Sequence, residues 1–152
     1  MSMPRVGDPA PDFELADDAG KKVKLSGLRG RRIVLYFYPK ADTPGCTTEA
    51  CSFRDSYKAY EQKGTVILGV SPDPVEKQAN FKAKFELPFQ LLADVGHKVC
   101  EDYGVWVLKK SAGKEYMGVA RTTFLIGADG KILRVFEGVK PEGHGGEVLE
   151  AL

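Results

Sequence analysis

Ile33-Val34-Leu35-Tyr36-Phe37-Tyr38 is a run of β-branched, aliphatic and aromatic residues that stops at Pro39. With no polar alternation it has no solvent face, so it predicts a strand in the middle of a sheet, buried on both sides. Such a strand requires covering layers above and below it. The segment Lys40-Ala41-Asp42-Thr43-Pro44-Gly45-Cys46 then leads into a helical pattern. Thr43 stands where an N-cap belongs, and Pro44 occupies the first helical position, where a fixed φ helps and a missing N–H costs nothing. On that register Cys46 lies in the first turn, among amides that have no intrahelical partner and at the positive end of the helix dipole. These surroundings favour a thiolate, the nucleophilic form of cysteine.

Cys51 follows on the same predicted helix. Five residues advance the axis by roughly 7.5 Å and rotate it by about 140°, which sets the two α-carbons roughly 8 to 9 Å apart. A disulfide needs less than about 7 Å, so an intact helix forbids a Cys46–Cys51 bridge. The apolar spacing Cys46, Ala50, Phe53, Tyr57, Tyr60 marks the inward side, while Cys51 shares a side with Asp55, Lys58 and Gln62. One inward, attacking sulfur and one outward, waiting sulfur are expected.

Elsewhere the pattern predicts an extended arm over 4–12, a hairpin of Phe13-Glu14-Leu15 with 22–25, and one helix from Pro44 to about Lys63 closed by Gly64. A buried strand over 65–70 follows, then a capping box at Asp73-Pro74-Val75-Glu76 opening a helix with Phe81, Phe85 and Leu87 inward. A short strand at 89–92, a short helix at 96–103 and a polar loop at 109–114 come next. Residues 121–126 and 131–136 read as an antiparallel pair across Gly127-Ala128-Asp129-Gly130, and Gly143-His144-Gly145-Gly146 as the approach to a last helix. The order predicts a mixed α/β sheet with helices on its faces, in one domain spanning 1–152.

A net charge of +1, with basic residues scattered among acidic ones, gives no reason to expect nucleic acid or an anionic membrane as partner. No stretch has the length and apolarity of a signal peptide or membrane span, so a cytoplasmic protein is expected. Three cysteines in such a chain suit catalysis or metal binding better than a structural disulfide framework.

The motif Pro39-x-x-x-Thr43-x-x-Cys46, with a second cysteine five residues on, resembles the active-site signature of the peroxiredoxins and, within them, of the Q-type or bacterioferritin-comigratory-protein subfamily. Ala10-Pro11-Asp12-Phe13, Tyr103-Gly104-Val105-Trp106 and Ala120-Arg121-Thr122-Thr123-Phe124-Leu125-Ile126 extend the likeness over nearly the whole chain. The resemblance implies a thioredoxin fold and an antioxidant thiol peroxidase that needs no cofactor and acts on hydrogen peroxide and organic hydroperoxides. It implies recycling by thioredoxin or a glutaredoxin-like dithiol, in a monomer or weak homodimer. By the same resemblance Cys46 is the peroxidatic residue and Cys51 the resolving one, joined in an intramolecular disulfide. Thr43 would orient peroxide and thiolate, and Arg121 would face Cys46 and the growing charge on oxygen. Glu49 would hold Arg121, the amides of Gly45 and Cys46 would complete the oxygen cradle, and Pro39 would shield the pocket.

Each role has a plainer counterpart: an inert buried Cys46, an N-capping Thr43, a surface Arg121 or Glu49, an idle Cys51. Cys100 reads as structural, packed with Val95, Val99 and Tyr103, and core packing suits Trp106 and Tyr116 better than a place at the pocket mouth. Two other functions compete. Cys46, Cys51, His97 and Cys100 are chemically able to form a zinc site, although the first two diverge on one helix. A general disulfide oxidoreductase would carry Cys-x-x-Cys, which is absent.

Overall fold

The computed structural model describes residues 3–152; Met1 and Ser2, at the head of the segment read for a signal peptide, lie outside them. The strand predicted from Ile33 onward is β3 (Arg32–Phe37). It sits inside a seven-stranded sheet of order β2-β1-β5-β4-β3-β8-β9, built with β1 (Glu14–Asp17), β2 (Lys22–Lys24), β4 (Thr65–Ser71), β5 (Gln90–Ala93), β8 (Thr122–Ile126) and β9 (Ile132–Phe136). β3 runs parallel to β4 and antiparallel to β8. Its side chains alternate between two cores. Ile33, Leu35 and Phe37 enter one, with Val99, Cys100, Tyr103 and Phe124. Val34, Tyr36 and Tyr38 enter the other, with Cys46, Ala50, Phe53, Tyr60, Phe81 and Val148. The period of two in a strand thus feeds both covering layers at once.

The second core is roofed by α1 (Pro44–Asp55), α2 (Tyr57–Gln62), α3 (Val75–Phe85) and α5 (His144–Glu150), and the first by α4 (Lys98–Asp102). The single helix expected to reach Lys63 is divided at Ser56, whose φ of −102° and ψ of 2° end α1 and start α2. Serine competes with the helical backbone, and the break leaves Tyr60 fully buried with its ring 6.0 Å from that of Phe53. Gly64 terminates α2 with φ +63°, as its sequence position predicts.

Five further expectations need correction. The capping box at Asp73 does not form: Pro74 is itself the N-cap of α3, and the Asp73 carboxylate accepts from the Ala41 amide and the Ser71 hydroxyl, both at 2.7 Å. The stretch 109–114 is no loop but the tip of a separate hairpin, β6 (Trp106–Ser111) with β7 (Lys114–Val119). Its two turn residues, Ala112 and Gly113, both have positive φ (51° and 77°), the geometry that joins twisted strands most tightly. The glycine-rich segment belongs to α5, which already starts at His144. Gly145 packs on α1 so closely that a Cβ would lie 2.3 Å from the Ser52 carbonyl oxygen. Tyr116 is 48% exposed on the hairpin, and Val95 is 64% exposed, so neither packs in the core. Among the described residues no helix is long and apolar enough to cross a membrane.

Candidate active site

The site forms where β3 ends and α1 begins. Tyr38 still donates to the Val70 carbonyl at 2.9 Å, and Asp73 holds the Ala41 amide, so the connecting loop is pinned at both ends. Pro39 is half-buried at the strand end. Asp42 takes φ +59° and pairs with Lys84 at 3.0 Å. Thr43 has the extended backbone of an N-cap, but its side chain does not cap: Oγ1 donates to the Lys40 carbonyl at 2.8 Å. The hydroxyl proton is therefore committed backward, and the capping use that competed with an active-site role is absent. The first helical bond runs from Thr47 N to Thr43 O at 2.8 Å, which leaves the amides of Gly45 and Cys46 at an uncapped helix end.

Cys46 is buried, with 1% of its surface exposed, and Arg121 Nη2 donates to its sulfur at 3.4 Å. Arg121 arrives there because β8 pairs antiparallel with β3, Thr122 opposite Phe37, which brings the residue before β8 alongside the end of β3. The other arm, Nη1, donates to Glu49 Oε1 at 2.7 Å. Burial opposes the charge of Arg121, but Glu49 and Cys46 outweigh it and raise the guanidinium pKa. Gly45 makes room for this guanidinium: a Cβ at that position would stand 3.1 Å from Arg121 Nη2.

Glu49, one turn after Cys46, is completely buried; Oε2 has no hydrogen-bond partner. Burial raises its pKa to about 7 against the opposing pull of Arg121. Cys46, Arg121 and Glu49 thus form a line of sulfur, guanidinium and carboxylate, with Arg121 in the middle, under a helix N-terminus. Such an array presents hydrogen-bond donors to the sulfur and to an oxygen bound beside it.

Cys51 lies half-buried farther along the intact α1, and neither it nor Cys46 is in a disulfide. Cys100 is fully buried in the core on the opposite side of the sheet. Its thiol pKa is pushed far up by burial and by Asp94, as suits an inert packing residue. His97 stacks on Trp106, ring centroids 4.0 Å apart, and bonds Glu101. The sheet therefore separates Cys46 from Cys100, and no group of three or more potential ligands able to hold a metal exists among the described residues. Asp73, which steadies the loop, was hidden in the sequence by its resemblance to a cap. Only the fold shows that Ala41 comes within its reach.

Residues 6–135 match the AhpC/TSA family. The chain is 53% identical over 147 residues to Peroxiredoxin Bcp of Bacillus subtilis, covering 97% of this chain and 94% of that protein. Its structure is similar to a cysteine-to-serine mutant of PrxQ from Xylella fastidiosa, with a TM-score of 0.93, 33% identity and coverage of 99% and 96%. A bacterioferritin comigratory protein of Xanthomonas campestris, studied for alkyl peroxide reduction, superimposes with a TM-score of 0.90 at 34% identity, over 99% of this chain and 96% of that one. A thioredoxin-fold sheet, an arginine-bound cysteine at a helix N-terminus and relatedness over almost the whole length agree, and the chain belongs to the AhpC/TSA family as a peroxiredoxin, a thiol-dependent peroxidase.

Proposed function

We propose that the chain, as one unit over 1–152, reduces hydrogen peroxide and organic hydroperoxides with Cys46 as the peroxidatic residue. The observation that carries this reading is the hydrogen bond from Arg121 to the Cys46 sulfur at the uncapped start of α1. The thiolate attacks one peroxide oxygen as the O–O bond breaks. The sulfur keeps that oxygen as a sulfenic acid, and the other oxygen leaves with a proton as water or an alcohol. Arg121 and the Gly45 and Cys46 amides are aimed at the oxygen that gains charge, and Thr43, its proton directed at Lys40, turns lone pairs toward the peroxide hydrogen.

Cys51 then attacks the sulfenic sulfur and water departs, leaving a Cys46–Cys51 disulfide. Because α1 holds the two positions too far apart, its first turns must open for that bond to form. A dithiol donor, thioredoxin or a glutaredoxin-like protein, returns the pair to thiols by exchange. The reading places the enzyme in the cytoplasm as a monomer or weak homodimer, with no nucleic-acid or membrane partner.

The test is to add one equivalent of peroxide to fully reduced protein and count thiols after denaturation. Two of the three disappear, and peptide mapping finds a single disulfide, joining Cys46 to Cys51. Cys46→Ser does not react, and Cys51→Ser is oxidised once at Cys46 without forming the internal bridge. Wild-type protein that consumes peroxide with both thiols still titratable overturns the mechanism.

A further inference from the structure

We propose that Lys109 determines substrate specificity, as a second cation beside the peroxidatic site that favours peroxides carrying a carboxylate or similar anion close to the O–O bond. This rests on the reading of Cys46 as the peroxidatic sulfur. In the hairpin register Lys109 stands opposite Tyr116 and Val107 opposite Gly118, so these four share one face, while Lys110 and Glu115 pair on the other at 3.6 Å. Gly118 leaves a gap on that face, and the lysine stem fills it: a Cβ on Gly118 would lie 3.3 Å from Lys109 Cδ and 3.6 Å from Cε. The stem therefore leans away from the tip at Ala112-Gly113 and toward the base of the hairpin. There Ala120 N donates to Val105 O at 2.8 Å and the chain turns directly into Arg121.

Lys109 is half-buried on the hairpin face that runs toward Arg121. Burial first, and Arg121 second, lower its pKa, while Cys46 raises it. A surface lysine serving only solubility extends into water; this one lies across a glycine toward a like charge. Arg121 has Glu49 as its partner at 2.7 Å, whereas Lys109 is in no ion pair with a carboxylate among the described residues. A substrate anion completes the pair.

The experiment compares rate constants for oxidation of the reduced protein by 4-hydroperoxy-4-methylpentanoate and by its methyl ester, which differ only in charge. At low ionic strength the wild type reacts about fivefold faster with the carboxylate, the size expected of one partly exposed charge pair, and the ratio shrinks with added salt. Lys109→Met brings the ratio to about one, and Lys109→Arg restores it. A wild-type ratio of one, or a ratio unchanged in Lys109→Met, overturns the assignment. If the wild type reacts with neither compound, the reading of Cys46 itself has failed.

Discussion

Glu49 is a carboxyl buried beside Arg121, the partner of Cys46. A carboxyl with a pKa raised from 4.5 to about 7 binds its proton more tightly in the folded chain than in the unfolded one. Between those values the native state holds more protons, so Glu49 costs stability as pH rises through that window, by about 3 kcal/mol once fully ionised. Glu49→Gln removes this titration. Urea unfolding midpoints of the variant accordingly lose the component that declines between pH 4.5 and 7. Gly45 offers a second separation of effects. Alanine there is a better helix former than glycine by about 1 kcal/mol, but its methyl group would displace the guanidinium 3.1 Å away. Gly45→Ala thus keeps or slightly raises the melting temperature while the rate of Cys46 oxidation falls about tenfold, as expected from a misplaced donor. A variant that is both stable and fully active contradicts that use of the glycine.

At the scale of elements, α1 is held by α5. Gly145 N donates to Ser52 Oγ at 2.9 Å, Ser52 Oγ donates to the Glu49 carbonyl at 2.6 Å, and Tyr60 OH donates to the Gly145 carbonyl. Ser52 adjoins Cys51, so this clasp opposes the opening that the proposed disulfide demands. Ser52→Ala removes about 1 kcal/mol from the clasp and speeds closure of the disulfide, measured from the sulfenic acid by stopped flow, by up to about fivefold. A slower closure contradicts it. The elements also differ in how plainly the sequence announces them. β3 and the start of α1 were legible because an apolar run, a proline and an N-cap threonine are local signals. The β6–β7 hairpin was not, because Ala112-Gly113 lacks the asparagine or aspartate that usually marks such a turn and its strands are rich in lysine. Asp73 misled in the opposite way: its spacing is that of a cap, and tertiary contact with Ala41 prevailed. Arg121 was placed by resemblance, since 75 residues separate it from Cys46 and only the β3–β8 pairing joins them.

For the whole molecule, the two cores divide the consequences of oxidation. The opening of α1 that the proposed disulfide requires would sacrifice packing around Ala50 and Phe53 in one core, and a disulfide closing so short a loop would restore little of it. The oxidised protein should melt about 5 to 10 °C below the reduced one, the shift expected for the loss of a few kcal/mol in a chain this size; calorimetry of the two forms with equal or inverted melting temperatures contradicts the need to open α1. Cys100, behind the sheet, stays alkylatable after denaturation even when peroxide is in several-fold excess, and its loss would show that the partition leaks.

The alternation along β3 has a mechanical result. Ile33, Leu35 and Phe37 grip the far layer while Val34, Tyr36 and Tyr38 face α1, so under the proposed mechanism the sheet remains as a template on which α1 recoils after each reduction. On that proposal turnover is confined to a hinge on one side of a standing frame, and the chain cycles repeatedly without having to find its fold anew.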